Sequence, residues 1–312
     1  MNKILIIKLG YSETLDPEIS NRPSLGDVLR TTVLLHAFKR DHVTWLVDEK
    51  AYPLLEGNEF INRILIFDLV SVLQLRAEKF DTVINFEKVP GICALTSEIK
   101  AWRYFGFRFD DEKGRALAYD KAERVLSLCL NPDKKKKNTT YWQQALMEMI
   151  GKKWKGEEYV LGYKPQSRIK YDIGFNYAVG GKWPNKAWPE EKWLELEGRL
   201  VSKYKFSLQQ GQTDIRKYVE WLNSCNLIVT NDSLGLHIAL ALKKKVVAIF
   251  GPTPHRDIYF YNRGIAVLPE GDFPCLPCLS PVCSHKSFCM KSISAKMVER
   301  AVENLFHQKE VK

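Results

Sequence analysis

The sequence predicts an α/β protein built from two parallel-sheet domains in series. Three observations predict it. Short β-rich runs alternate with helical or loop segments along the chain, a lysine- and glycine-rich stretch divides that alternation into two series, and 312 residues suffice for two hydrophobic cores.

The first series opens on Lys3–Lys8, a strand-length apolar run between lysines. A long connection rich in Pro, Ser and Asn leads to a predicted helix from about Leu25 to Arg40. Val43–Val47, Ile64–Phe67 and Thr82–Phe86 follow as further strands of a doubly wound domain. Helix Tyr141–Ile150 and the stretch Gly151–Gly156 close this half. In the second series Asp172–Phe175, Leu227–Thr230 and Val246–Phe250 read as strands. Pro189–Val201, Asp214–Asn223 and Leu236–Leu242 read as helices, and Ser294–Phe306 reads as an amphipathic terminal helix. The domains are therefore expected at 1–155 and 156–293, with a cysteine-rich loop at 274–290 and a C-terminal helix in 294–312. Two such domains are expected to leave a cleft at the carboxyl ends of their strands, where open sheets bind ligands.

Composition narrows the function classes. A formal net charge of +10 implies an anionic partner: nucleic acid, a phosphorylated sugar, or the inner face of a membrane. The lysine run 134–137 flanks the expected interdomain connection and reads as solvated linker charge. Nucleic acid is disfavoured, because the basic residues are dispersed and the cysteines lack the spacing of a C2H2 finger. The N-terminus has no secretory pattern and no apolar run reaches the length of a bilayer span, so a cytoplasmic location is expected.

Four segments can carry chemistry. Asn231-Asp232-Ser233-Leu234-Gly235-Leu236-His237 follows a strand and opens a helix. Either its polar residues simply cap that helix and His237 packs, or the free N–H groups and the positive dipole end hold a pyrophosphate. At Lys182–Pro189 (KWPNKAWP) a loop lysine is either solvated or neutralises charge on a leaving phosphate. Ser24-Leu25-Gly26-Asp27 has capping-box spacing, with Asp27 alternatively serving as a base for an acceptor hydroxyl. Finally, Cys275, Cys278, Cys283 and Cys289 gather four thiols, a tetrahedral set suited to structural zinc or iron. The alternative is a set of reduced cysteines packing a loop. His285 inside the cluster could replace one sulfur.

These motifs bear a resemblance. Ser-Leu-Gly-Asp-Val at residues 24–28, Lys-Ala-Trp-Pro-Glu at 186–190, Asp-Ser-x-x-x-His-x-Ala-x-Ala-Leu at 232–242 and Phe-Gly-Pro-Thr at 250–253 follow one another as in glycosyltransferase family 9. The chain resembles that family, which contains the ADP-heptose:lipopolysaccharide heptosyltransferases. The resemblance implies two Rossmann-like domains facing across a cleft, an arrangement called GT-B, and inverting transfer without a catalytic metal. It implies Asp27 as general base and Lys186 on the donor phosphates. It also implies Asp232, Ser233, Leu234, Gly235 and His237 around the nucleotide diphosphate, with Thr253 near the donor. The donor is then an ADP-sugar such as ADP-heptose. The acceptor is a lipid-linked or envelope glycan, reached with peripheral contact at the inner membrane. The alternatives within this fold are transfer to a protein or to a non-heptose glycan, and a binding protein without catalysis. Two departures stand out. The glycine at 235 is displaced by one position relative to the family pattern, and the acid that relatives place on the donor ribose has no clear counterpart. Gln209 or Gln210 offers a hydrogen bond in its stead.

Overall fold

The computed structural model describes residues 1–11, 22–211, 213–285 and 288–308. The Pro-, Ser- and Asn-rich connection expected after the first strand falls largely on 12–21, outside the described residues. The chain forms two compact units, Met1–Tyr163 and Lys164–Lys312.

The first unit is a six-stranded sheet in the order β3-β2-β1-β4-β5-β6. Its strands are β1 (Lys3–Ile7), β2 (His42–Val47), β3 (Arg63–Ile66), β4 (Lys79–Asn85), β5 (Lys100–Asp110) and β6 (Arg115–Ala118). All neighbouring pairs are parallel except β5 and β6. Alternate residues of β1 feed two cores, as a strand buried on both faces requires. Ile4 and Ile6 pack with Val28, Leu34 and Trp45, whereas Leu5 and Ile7 pack with Leu75, Phe80 and Ile92. Each such buried side chain contributes about 1.5–3 kcal/mol. The direction of strand addition reverses between β1 and β4, so their carboxyl ends form the switch point of this sheet.

The second unit is a five-stranded, wholly parallel sheet in the order β11-β10-β9-β7-β8. Its strands are β7 (Tyr171–Asn176), β8 (Phe206–Leu208), β9 (Cys225–Asn231), β10 (Lys245–Ile249) and β11 (Gly264–Val267). Its switch point lies between β7 and β9. Helices Glu190–Leu200 and Ala295–His307 pack on one face through Trp193, Leu196, Val298 and Val302. Ser294 caps the terminal helix by accepting from Met297 N.

Three differences from the sequence reading have local causes. The helix expected to run to Arg40 is an α-helix only over Leu25–Thr31 and tightens to a 3-10 helix over Thr32–Ala37. There the Thr31 hydroxyl donates to Asp27 O at 2.7 Å and the Thr32 hydroxyl to Leu29 O, a back-bonding that competes with regular helix. The first unit also extends to Tyr163 rather than 155, because the intervening stretch is bonded into it. Val160 N donates to Thr32 Oγ1, Asn58 Nδ2 to Val160 O, and Gly162 N to Leu54 O. Lastly, β5, β6, β8 and β11 go beyond the predicted strands; β5 mixes exposed, half-buried and buried residues and so lacks the solid apolar run of a central strand. Among the described residues no helix is long and apolar enough to cross a membrane.

Candidate functional site

In the second unit the site begins at the ends of β7 and β9. Both strands finish on a fully buried asparagine, and each side chain ties down a neighbouring turn. Asn231 Nδ2 donates to Tyr177 O at 2.7 Å, and Asn231 Oδ1 accepts from Trp188 N at 3.0 Å. Asn176 Nδ2 donates to Thr230 Oγ1 at 2.7 Å and to Ser233 Oγ at 2.9 Å, while Tyr218 OH donates to Asn176 Oδ1 at 2.5 Å. Burial pushes the Tyr218 phenol well above its usual range, and the hydrogen bond to Asn176 only partly offsets this.

Asn231 thereby anchors the loop that carries Lys186. Lys186 ends a short 3-10 turn, Pro184–Lys186, and is only 8% exposed. Its Nζ lies 2.9 Å from Asp232 Oδ2, and the same oxygen accepts from Thr253 Oγ1 at 2.7 Å. Three predicted residues from three separate loops therefore converge on one carboxylate oxygen. Burial alone would raise the Asp232 carboxyl. The Lys186 ammonium, His237 and the Thr253 hydrogen bond together hold it below the ordinary aspartate value. Lysine and aspartate largely neutralise each other in this state, so an arriving diphosphate would compete with Asp232 for the lysine.

Helix Leu234–Ala241 starts beside this cluster. Its N-cap, Ser233, is extended and makes no side-chain cap bond; its hydroxyl instead receives the Asn176 amide. The first-turn N–H groups thus lack the side-chain cap that the structural alternative required, and they suit an anion. Leu234 is the first helical residue and is half-buried. Gly235 is buried where a Cβ would stand 2.3 Å from Asn176 Nδ2 and 2.4 Å from Tyr218 OH. The glycine is therefore a packing requirement at its displaced position. Gln209 Oε1 accepts from Ala178 N at 3.0 Å, and Gln210 Nε2 donates to Ser207 Oγ. Both glutamines thus already bond within the unit.

The four predicted cysteines are free thiols lining one cavity of about 60 Å3, together with Asn185 and His285. Among the described residues no group of three or more His, Cys, Asp or Glu side chains stands in a metal-holding arrangement. Burial and the three neighbouring sulfurs push the Cys289 thiol up to about 11. The cysteine loop is bonded to the loops that carry Lys186 and Thr253. Asn185 Nδ2 donates to Ser280 O at 2.6 Å, and Leu279 N to Pro252 O at 2.9 Å.

In the first unit Asp27 lies in the first turn of its helix, 6% exposed and ion-paired with Arg30. Arg30 in turn stacks its guanidinium 4.8 Å from the Trp142 ring centroid. Ser24 is the N-cap but makes no side-chain cap bond, so the capping-box reading of Ser24 and Asp27 is not realised. Nearby, Lys8 and Glu87 form a buried ion pair at 3.2 Å. Sequence reasoning missed Arg30, Lys8, Glu87, Asn176 and Tyr218. Only the polar residues at strand ends, Lys8 after β1 and Asn176 closing β7, carried a local signal.

Comparison with known proteins agrees with the motifs. Residues 205–288 match the family model described as glycosyltransferase family 9 (heptosyltransferase). Asp232 to Thr253 fall inside that match, and Asp27 and Lys186 precede it. Lipooligosaccharide heptosyltransferase 2 of Campylobacter jejuni subsp. jejuni serotype O:2 is 34% identical over 96 residues, which span 30% of this chain and 30% of that protein. Lipopolysaccharide heptosyltransferase 1 of Campylobacter coli is 24% identical over 347 aligned residues, 91% of this chain and 96% of that one. Among solved structures, the E. coli heptosyltransferase WaaC with ADP superposes with a TM-score of 0.64 at 16% identity, covering 97% of this chain and 99% of that one. The α/β fold of two parallel-sheet units is shared with it.

Proposed function

We propose that this chain, whose residues 205–288 match the glycosyltransferase family 9 model, is an inverting transferase that moves heptose from ADP-heptose to a hydroxyl of a lipopolysaccharide-type core. The observation that carries this reading is the convergence of Lys186, Asp232 and Thr253 beside a helix start free of a side-chain cap. A buried cation beside the positive end of a helix is what a nucleoside diphosphate leaving group needs. The names of the relatives, heptosyltransferases of lipopolysaccharide and lipooligosaccharide, supply the sugar and the acceptor class. The neighbour with ADP supplies the nucleotide.

In the proposed reaction the acceptor oxygen attacks the anomeric carbon on the face opposite the diphosphate. The bond from that carbon to the phosphate oxygen breaks, and the electron pair leaves on ADP, where Lys186 and the first-turn amides of helix Leu234–Ala241 stabilise the charge. Asp27 takes the acceptor proton, the one base that inversion requires. Lys186 here supplies the positive charge that a divalent ion provides in other transferases. Cytoplasmic location and peripheral contact with the inner membrane belong to the same proposal; the net charge of +10 favours an anionic leaflet.

The four cysteines we read as a structural zinc or iron site, supported by their position around one cavity. Four thiolates would close the coordination shell and leave no position for substrate. Such an ion would hold the loop bonded to Asn185 and Pro252.

A thermal-shift series with ADP, UDP and GDP, followed by turnover of ADP-heptose, tests the reading. ADP should stabilise the chain and UDP should not. Asp27→Asn should lose all but a small residual transfer rate and keep nucleotide binding. Equal response to all three nucleotides would remove the donor assignment, and near-normal turnover by Asp27→Asn would remove the base.

A further inference from the structure

The helix that carries the proposed base starts against the end of β1, where Ser24 N donates to Gly10 O. β1 and β4 are neighbours, with Ile7 opposite Asn85. At the end of β4 the Asn85 amide donates to Phe107 O at 2.9 Å, and its Oδ1 accepts from Glu87 N at 2.8 Å. Cys93 Sγ donates to Glu87 O at 3.2 Å. This locked turn directs the Glu87 side chain back toward β1, where it is completely buried.

There one carboxylate oxygen does three things. Glu87 Oε1 accepts from Leu9 N at 2.7 Å and from Gly10 N at 2.7 Å, and it pairs with Lys8 Nζ at 3.2 Å. Short bonds from amides to a buried carboxylate are among the stronger hydrogen bonds of a protein. They hold Gly10 at φ +94, a conformation only glycine adopts without strain. A Cβ at Gly10 would also stand 2.8 Å from Ser24 O. In that conformation Gly10 O accepts from Ser24 N at 2.8 Å, and Ser24 O accepts from Asp27 N at 3.1 Å. Since Ser24 makes no side-chain cap bond, this backbone contact locates the start of the Asp27 helix.

We infer that Glu87 is a positioning residue for Asp27: through Leu9, Gly10 and Ser24 it fixes the junction of β1 with the helix that carries the base. The inference rests on the reading of Asp27 given above. Misplacing a reacting group by about 1 Å costs on the order of 100-fold in rate.

Glu87→Gln and Glu87→Ala in the full chain test it, with turnover of ADP-heptose and the Kd for ADP as separate readouts. Glutamine keeps an oxygen that can accept both N–H groups but loses the charge opposite Lys8. We expect kcat to fall about 10-fold in Glu87→Gln and about 100-fold in Glu87→Ala, with the ADP Kd within about twofold of wild type. In an Asp27→Asn background the same substitutions should lower residual turnover by less than about twofold, because two residues acting as a unit are not additive. Full kcat in folded Glu87→Ala overturns the inference, as does an undiminished loss in the Asp27→Asn background. If Glu87→Ala does not fold, Glu87→Gln with its background control decides by the same criteria. An active Asp27→Asn would instead remove the base itself, a separate outcome from additivity.

Discussion

Replacing Gly235 by alanine sets two effects against each other. Gly235 is the second residue of helix Leu234–Ala241, where alanine has the better helix propensity by about 1 kcal/mol. Against this, the new methyl would stand 2.3 Å from Asn176 Nδ2 and 2.4 Å from Tyr218 OH, each about 1 Å inside contact distance. Neither neighbour is free to move. Asn176 bonds to Thr230, Ser233 and Tyr218 at once, and both residues are buried. Overpacking costs about 1–3 kcal/mol, and each buried hydrogen bond broken by the displacement costs about 1 kcal/mol more. The net loss is about 1–4 kcal/mol after the propensity gain, so the melting temperature of this unit should fall by roughly 2–16 °C. Differential scanning calorimetry measures this directly. Tyr218→Phe in the same chain removes one of the two clashes and should recover part of the loss. An alanine variant as stable as the wild type would refute the packing argument, and with it the physical reason for a glycine at this position.

The remaining predictions concern the charges and the cysteine loop. Lys186→Met leaves the Asp232 carboxylate buried without its cation, which should cost about 3 kcal/mol at pH 7. Because the folded state holds Asp232 below its ordinary value, the stabilisation is present above about pH 4 and is lost as pH falls through the folded value. The gap in melting temperature between wild type and Lys186→Met should therefore narrow as the pH falls below about 4; a gap independent of pH would contradict the ion pair. Asn185→Ala removes the 2.6 Å bond to Ser280 O and should weaken ADP binding about fivefold by calorimetry, with binding unchanged if the cysteine loop does not support the lysine loop. Freshly purified protein should contain about one zinc or iron per chain by elemental analysis, and Cys278→Ser should lose it together with thermal stability. Metal-free wild type would leave the cysteines as packing residues.

Much of this molecule is local in origin, and that part was legible in the sequence. The apolar run of β1, the strand before Asn231 and the terminal helix are set by side-chain period and capping within a few residues, so their types follow from the sequence alone. The motifs around Asp27, Lys186 and Asp232 were legible for the same reason, since a turn's chemistry is written in contiguous residues. The partners were not. Asn176 and Ser233 are 57 positions apart, Leu9 and Glu87 are 78 apart, and Thr253 meets Asp232 across 21. Nothing in Phe86-Glu87-Lys88 announces that the glutamate will receive the amides of another strand's end. Nor does Ser24-Leu25-Gly26-Asp27 reveal that its serine leaves the helix uncapped while Arg30 takes the aspartate. The sequence by itself determined two α/β series, the polar turn after the strand at Leu227–Thr230 and four clustered thiols, and it offered Asp27 as a candidate base. Only the tertiary structure decided which oxygen each buried donor reaches, because strand order brings together segments whose separation along the chain carries no periodic signal.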